Sequence, residues 1–119
     1  MSYDIRLIDP ITGETAIVPD GHDLRGGTYV LGGNDEAWLN VTYNYAQFYY
    51  MHLDSEKGIR VLYGMPGAQA IPLLEKAVTA LGTNRDSDYW KPTAGNAGAA
   101  LADLLMLARA CPEAVFRGD

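Results

Sequence analysis

The hydrophobic period changes at Tyr43, and that change constrains the fold more than any other feature of this sequence. From Trp38 to Tyr43 the chain alternates, with Leu39, Val41 and Tyr43 on one side and Trp38, Asn40 and Thr42 on the other. Such alternation describes a strand. Beyond it, Tyr45, Phe48, Tyr49 and His52 follow the i, i+3, i+4, i+7 spacing of a helix, and Ala46, Tyr49, Tyr50 and Leu53 form an adjoining stripe. An apolar arc that wide suits a helix packed on a sheet. Five of the chain's aromatic residues, Tyr43, Tyr45, Phe48, Tyr49 and Tyr50, crowd into these positions. Helical spacing assigns Tyr43, Tyr45, Phe48 and Tyr49 to the core, and a protein-contact surface is the other use of such a cluster.

The remaining elements follow from local signals. Tyr3, Ile5 and Leu7 alternate with Asp4 and Arg6 as a first strand, and Asp9-Pro10-Ile11-Thr12-Gly13 carries turn chemistry. Thr15 to Val18 reads as the hairpin partner of that strand, ended by Pro19-Asp20-Gly21. Gly26-Gly27 and Gly32-Gly33 bracket a short strand over Thr28–Leu31, and Trp38–Tyr43 is the fourth. Asn44 and Gln47 have the spacing of a capping box for the helix that follows. Ile59–Tyr63 is a short apolar run that favours helix over strand.

A second helix runs from Ala68 or Ile71 to Leu81, stopped by Gly82. Ile71, Leu74, Val78 and Leu81 are its buried side, and Pro72 belongs in its first turn. Thr83–Pro92 is a polar loop carrying Tyr89 and Trp90. Thr93 caps a long last helix with Ala97, Leu101, Leu104, Leu105 and Ala108 turned inward, and Pro112 ends it. Gly95 and Gly98 weaken that helix by about 1 kcal/mol each relative to alanine, so another backbone is expected to approach there. Val115 and Phe116 are positioned to tack down the tail.

The expected fold is α+β: an N-terminal four-stranded antiparallel sheet, then three to four helices packed on one face. With 119 residues the chain makes one domain, 1–119, with a β-rich acidic part (1–43) and a helical part (44–119).

Charge is uneven. Through Asn44 there are two basic and seven acidic residues, a net of −5, out of −6 for the whole chain. Phosphate is repelled by such a half, which argues against direct nucleic-acid binding. Base-stacking platforms interleave aromatics with Lys or Arg, and none lies between Trp38 and Tyr50. Gly64-Met65-Pro66-Gly67 has the G-x-x-G outline of an RNA-clamping loop, but Met65 and Pro66 fill it and the turn reading wins.

The only histidines, His22 and His52, lack Cys or carboxylate neighbours at ligand spacing, and no Ser or Cys sits in an activating motif. No metal, cofactor or catalytic set is therefore expected. Cys111, the single cysteine, reads as a small buried hydrophobe, and its isolation suits a reducing cytoplasm. No leader is expected, because Asp4, Arg6 and Asp9 interrupt the first apolar stretch. No apolar run approaches membrane-spanning length.

Tyr43-Asn44-Tyr45-Ala46, Gly58-Ile59-Arg60 with Leu62-Tyr63-Gly64, and Ile71-Pro72-Leu73-Leu74-Glu75-Lys76-Ala77 together form a recognisable pattern. Asp88-Tyr89-Trp90, Thr93, Gly95-Asn96-Ala97 and Gly118-Asp119 continue it. Over residues 43–119 the chain resembles a family of small uncharacterised bacterial and phage proteins. That resemblance brings no activity, cofactor or catalytic residue. It implies a bacterial or phage setting in the cytoplasm.

These readings converge on a non-enzymatic protein-interaction module. Its sharpest form is a phage-encoded, anti-CRISPR-like inhibitor whose acidic surface blocks the basic nucleic-acid-binding site of a host defence complex. Asp20, Asp23, Asp35 and Glu36, with Tyr50 and Trp90, are the expected interaction residues. The alternatives are a small enzyme or ligand-binding domain with a pocket near His52, Tyr49 and Trp90, and a homodimer sealed by aromatic surface.

Overall fold

The computed structural model describes residues 1–22 and 34–119, with residues 20–22 and 34 as backbone alone. In chain order the elements are β1 (Ser2–Ile8), β2 (Ile17–His22), β3 (Asn34–Glu36) and β4 (Trp38–Thr42), then a 3-10 turn (Tyr43–Tyr45) and helix α1 (Ala46–His52). A second 3-10 turn (Gly58–Leu62), α2 (Gly67–Leu81), α3 (Ala94–Ala110) and β5 (Val115–Arg117) complete the chain. The fold is α+β.

The single four-stranded sheet expected from the sequence is replaced by two antiparallel sheets among the described residues, one ordered β4-β1-β5 and the other β2-β3. The strand expected over Thr28–Leu31 lies outside the described residues. Ala37 is the reason for the division. It is fully buried, its carbonyl accepts from the Leu7 N–H, and its own N–H donates to the Ala16 carbonyl. The chain bends there, so residues ahead of Ala37 pair with β2 and residues after it pair with β1, from Arg6↔Trp38 to Ser2↔Thr42. The segment ahead of β2 meets β1 at the isolated Ile8↔Thr15 bridge, and β2 itself pairs with β3 and continues through Pro19 to His22 instead of ending at Pro19.

β5 takes the opposite side of β1, with Leu7↔Phe116 and Ile8↔Val115 in register. Phe116 is completely buried, so the expected tacking of the tail is a third strand of the sheet.

Tyr3, Ile5 and Leu7 project from one face of β1 into a core shared with Leu39, Val41, Leu74, Leu101 and Phe116. Strand alternation explains β1, where every second residue is buried. β4 departs from it, because Asn40 and Thr42 are buried too. Tyr45 and Tyr49 are core residues, while Tyr43 and Phe48 are partly buried against them. The helix start differs from the expected Asn44–Gln47 box. Thr42 caps the 3-10 turn through its Oγ1, which accepts from the Asn44 N–H at 3.2 Å, and the Asn44 amide is used elsewhere.

α2 begins earlier than its sequence suggests, at Gly67, so Pro72 stands in the second turn and not the first. Its buried residues include Ala70, Leu74, Ala77 and Leu81, and Ile71 and Val78 flank them half-buried. α3 is the central element, buried along most of its length, with Thr93 Oγ1 accepting from the Asn96 N–H at 3.1 Å as its cap. The expected close approach at its glycines is present. A Cβ on Gly98 would stand 1.8 Å from the Gly82 carbonyl oxygen, and one on Gly95 would stand 1.9 Å from that of Asn84. Only glycine lets the chain leaving α2 pass this near to α3.

Candidate interaction groove

The connection between β1 and β2 is built as a rigid lip. Asp9 Oδ1 accepts from the N–H groups of Ile11 at 2.8 Å and Thr12 at 3.3 Å, an arrangement that fixes a turn without secondary structure. Gly13, at φ +76°, donates to the Asp9 carbonyl, and the Asp9 N–H donates to the Glu14 carbonyl. Thr12 Oγ1 then accepts from the Glu14 N–H at 3.2 Å. This bonded loop holds Ile11 out in solvent, 92% exposed, and Ile17 at the start of β2 is 55% exposed.

Opposite the lip lies the segment leaving α3, Ala110–Ala114, and between the two walls runs a half-open groove of about 560 Å³. The walls are tied beneath by the β1–β5 pairing, and Cys111 donates its thiol to the Ile17 carbonyl at 3.6 Å. Burial pushes the Cys111 thiol pKa above its ordinary value, so the group is a neutral part of the wall.

The groove is anionic. Asp9, Glu14 and Glu113 line it, and among the described residues no Lys or Arg does. β3 continues the acidic surface with exposed Asp35 and with half-buried Glu36, which stands opposite Ile17 in the strand register. The C-terminus of α3 adds the partial negative charge of its last carbonyls. Arg109 in its last turn is bonded to Glu75 of α2 at 2.8 Å and is absent from the groove lining.

A second surface forms around the loop between α2 and α3. Asn96, only 2% exposed, accepts from the Asp86 N–H at 2.9 Å and donates to the carbonyls of Asp88 at 3.1 Å and Lys91 at 3.0 Å. Arg85 pairs with buried Asp103 at 3.1 Å, the Tyr45 hydroxyl donates to the Tyr89 carbonyl, and the Asn44 amide donates to the Trp90 carbonyl at 2.8 Å. Trp90 is displayed on this braced loop at 45% exposure, tilted against Tyr89.

The expected interaction residues therefore do not converge. Asp35 and Glu36 lie on β3, and Asp20 belongs to the β2 backbone paired with it. Asp23 lies outside the described residues. Trp90 precedes the N-terminus of α3, whereas the groove sits at its C-terminus, and the 17 residues of α3 separate the two ends by about 25 Å. Tyr50, 39% exposed, is elsewhere again, with its ring against Gly58.

Sequence reasoning missed Asp9, Ile11, Glu14, Ile17 and Glu113. One signal was present: an isoleucine at the centre of an Asp-Pro-Ile-Thr-Gly turn, where no strand or helix face can bury it.

Tyr49, one of the residues named for a pocket near His52 and Trp90, is fully buried and gives its hydroxyl to the Ala97 carbonyl at 3.0 Å. It cannot line an open cavity. Burial raises its pKa well above the ordinary tyrosine value. Among the described residues no three His, Cys, Asp or Glu side chains are grouped to hold a metal ion, and no helix is long and apolar enough to cross a membrane. Comparison with known proteins finds no matching family model, no matching curated protein and no matching solved structure.

Proposed function

We propose that this protein is a non-enzymatic interaction module that offers an acidic face to a partner protein with a basic surface. One observation supports this above the others. Asp9, Glu14 and Glu113 share one groove with no Lys or Arg among its described lining residues, next to the strand that carries Asp35 and Glu36. Opposed potentials of that kind speed encounter and exclude anionic competitors such as nucleic acid and the cytoplasmic face of a membrane. The phage-inhibitor form of the reading is the case in which the partner's basic surface is the nucleic-acid-binding site of a host defence complex.

The test is an amide-shift titration of the labelled protein with octalysine at low and high salt. Shifts concentrated at residues 9–17, 34–36 and 113, lost in 0.5 M salt and lost in a Glu14→Lys, Asp35→Lys, Glu36→Lys variant, are expected. Shifts spread evenly over all surface carboxylates would remove the basis for the proposal. For the inhibitor form, the protein should displace nucleic acid from the defence complex, and the same charge reversals should abolish displacement.

A further inference from the structure

We infer that the groove between the β1–β2 lip and the end of α3 receives a short amphipathic segment of the partner, in which apolar side chains alternate with Lys or Arg. This rests on the interaction reading above and adds to it the place and the chemistry of the contact.

The apolar half of the inference comes from Ile11 and Ile17. An isoleucine at 92% exposure contributes nothing to the core, yet the loop that presents it is held by the bonds of Asp9, Thr12 and Gly13. A loop already ordered loses little entropy when it is covered, so its apolar surface is available for binding at low cost. Across the groove, Ala110, Pro112 and Ala114 offer an apolar wall to match.

The basic half comes from complementarity. Asp9, Glu14 and Glu113 surround that apolar strip, and α3 ends there with its partial negative charge. A neutral apolar segment would leave Glu14 and Glu113 partly desolvated without partners, and an acidic one would be repelled by all three carboxylates. A segment that inserts a Leu or Ile side chain between Ile11 and Pro112 and directs flanking Lys or Arg to the rim satisfies both.

The shape favours a segment over a small molecule. A volume of about 560 Å³ has room for a few side chains. Pockets for small ligands cover most of the ligand's surface, whereas this groove is half open with Ile11 standing at its edge.

The experiment uses the full chain, isotope-labelled, with three octapeptides: alternating Lys-Leu, alternating Lys-Ser and alternating Glu-Leu. The Lys-Leu peptide should bind at least tenfold more tightly than either other and shift Thr12, Glu14, Ile17, Cys111 and Glu113. Ile11→Ser and Ile17→Ser should each weaken Lys-Leu binding about tenfold, the effect of uncovering one isoleucine side chain, and leave Lys-Ser binding unchanged. Both side chains are largely exposed, so the folded state survives these changes.

Equal binding of the Lys-Leu and Lys-Ser peptides, with both isoleucine variants silent, would overturn the groove inference while the acidic-interaction reading stood. So would Lys-Leu shifts centred on Trp90 or Tyr50. Tight binding of Glu-Leu would refute the charge argument. Binding of none of the three at low salt would overturn the inference and the interaction reading together.

Discussion

Asn96→Ala separates the bracing of the loop between α2 and α3 from the packing of α3. The asparagine side chain makes three bonds to the loop backbone, to the Asp86 N–H and to the carbonyls of Asp88 and Lys91. A hydrogen bond of this kind contributes about 0.5–1.5 kcal/mol net, so three contribute roughly 1.5–4.5 kcal/mol. Two corrections lower the total. Alanine is the better helix former by up to about 0.7 kcal/mol. Water also reaches part of the released backbone, because the loop is largely exposed. The Thr93 cap survives, since it uses the backbone N–H of residue 96 and not its side chain. The expected loss is therefore about 2 kcal/mol, read as a lower urea midpoint at unchanged slope. In a Trp38→Phe background, Trp90 emission should shift toward that of a solvated indole while the protein is still folded, because its loop has lost the three Asn96 bonds and keeps those from Arg85, Tyr45 and Asn44. Asn96→Asp should not rescue, because a carboxylate cannot donate to the two carbonyls. A midpoint change worth under 0.5 kcal/mol, with Trp90 emission unaltered, would show that the loop holds itself and that Asn96 is dispensable.

Gly98→Ala reverses the usual sign of a glycine-to-alanine change in a helix. The propensity gain of about 1 kcal/mol is opposed by a Cβ placed 1.8 Å from the Gly82 carbonyl oxygen, which forces α2 and α3 apart. A net loss of about 2 kcal/mol or more in urea unfolding is expected, and a more stable variant would show that the two backbones separate without penalty. Alkaline pH supplies a third check. Burial raises the pKa values of Tyr3, Tyr45, Tyr49 and Tyr63 above the ordinary value of 10.0, so each is higher folded than unfolded. Their contribution is complete below pH 10 and is lost as pH rises through the folded-state values. For Tyr49, still neutral in the folded protein, the loss reaches about 1.4 kcal/mol per pH unit above 10. Urea midpoints should thus fall between pH 9 and pH 11, and a flat profile would contradict the burial of these hydroxyls.

The helical half was legible because its signals are local. Thr93 caps α3, Gly82 ends α2, and Gly95 with Gly98 announced a close backbone contact that the structure supplies. The capping of the first helical turn was misassigned because Thr42 and Asn44 are both competent caps. Thr42 is the one with the extended backbone of a cap, whereas Asn44 lies inside the 3-10 turn and donates its side-chain amide to the distant Trp90 carbonyl. The sheet was harder for the same reason. Alternation marks strands but not their partners, and nothing local says that Ala37 bends the chain from β2 to β1 or that Val115–Arg117 returns to pair with β1. The groove depends on that return. Its acidic character could be read from the N-terminal composition, but its second wall comes from residues about a hundred positions away.

α3 relates the two surfaces mechanically. Its first turn carries Asn96, which braces the Trp90 loop, and its last residues form one wall of the anionic groove. α3 is one continuous helix from Ala94 to Ala110, so its two ends lie about 25 Å apart. A partner segment short enough to fill the groove therefore cannot also reach Trp90 across about 25 Å. Contact with both ends requires either a broad basic surface or two separate segments. Under the proposed reading, the expected aromatic and acidic residues would join one binding event only with a large partner, and the groove would set what a minimal partner must contain.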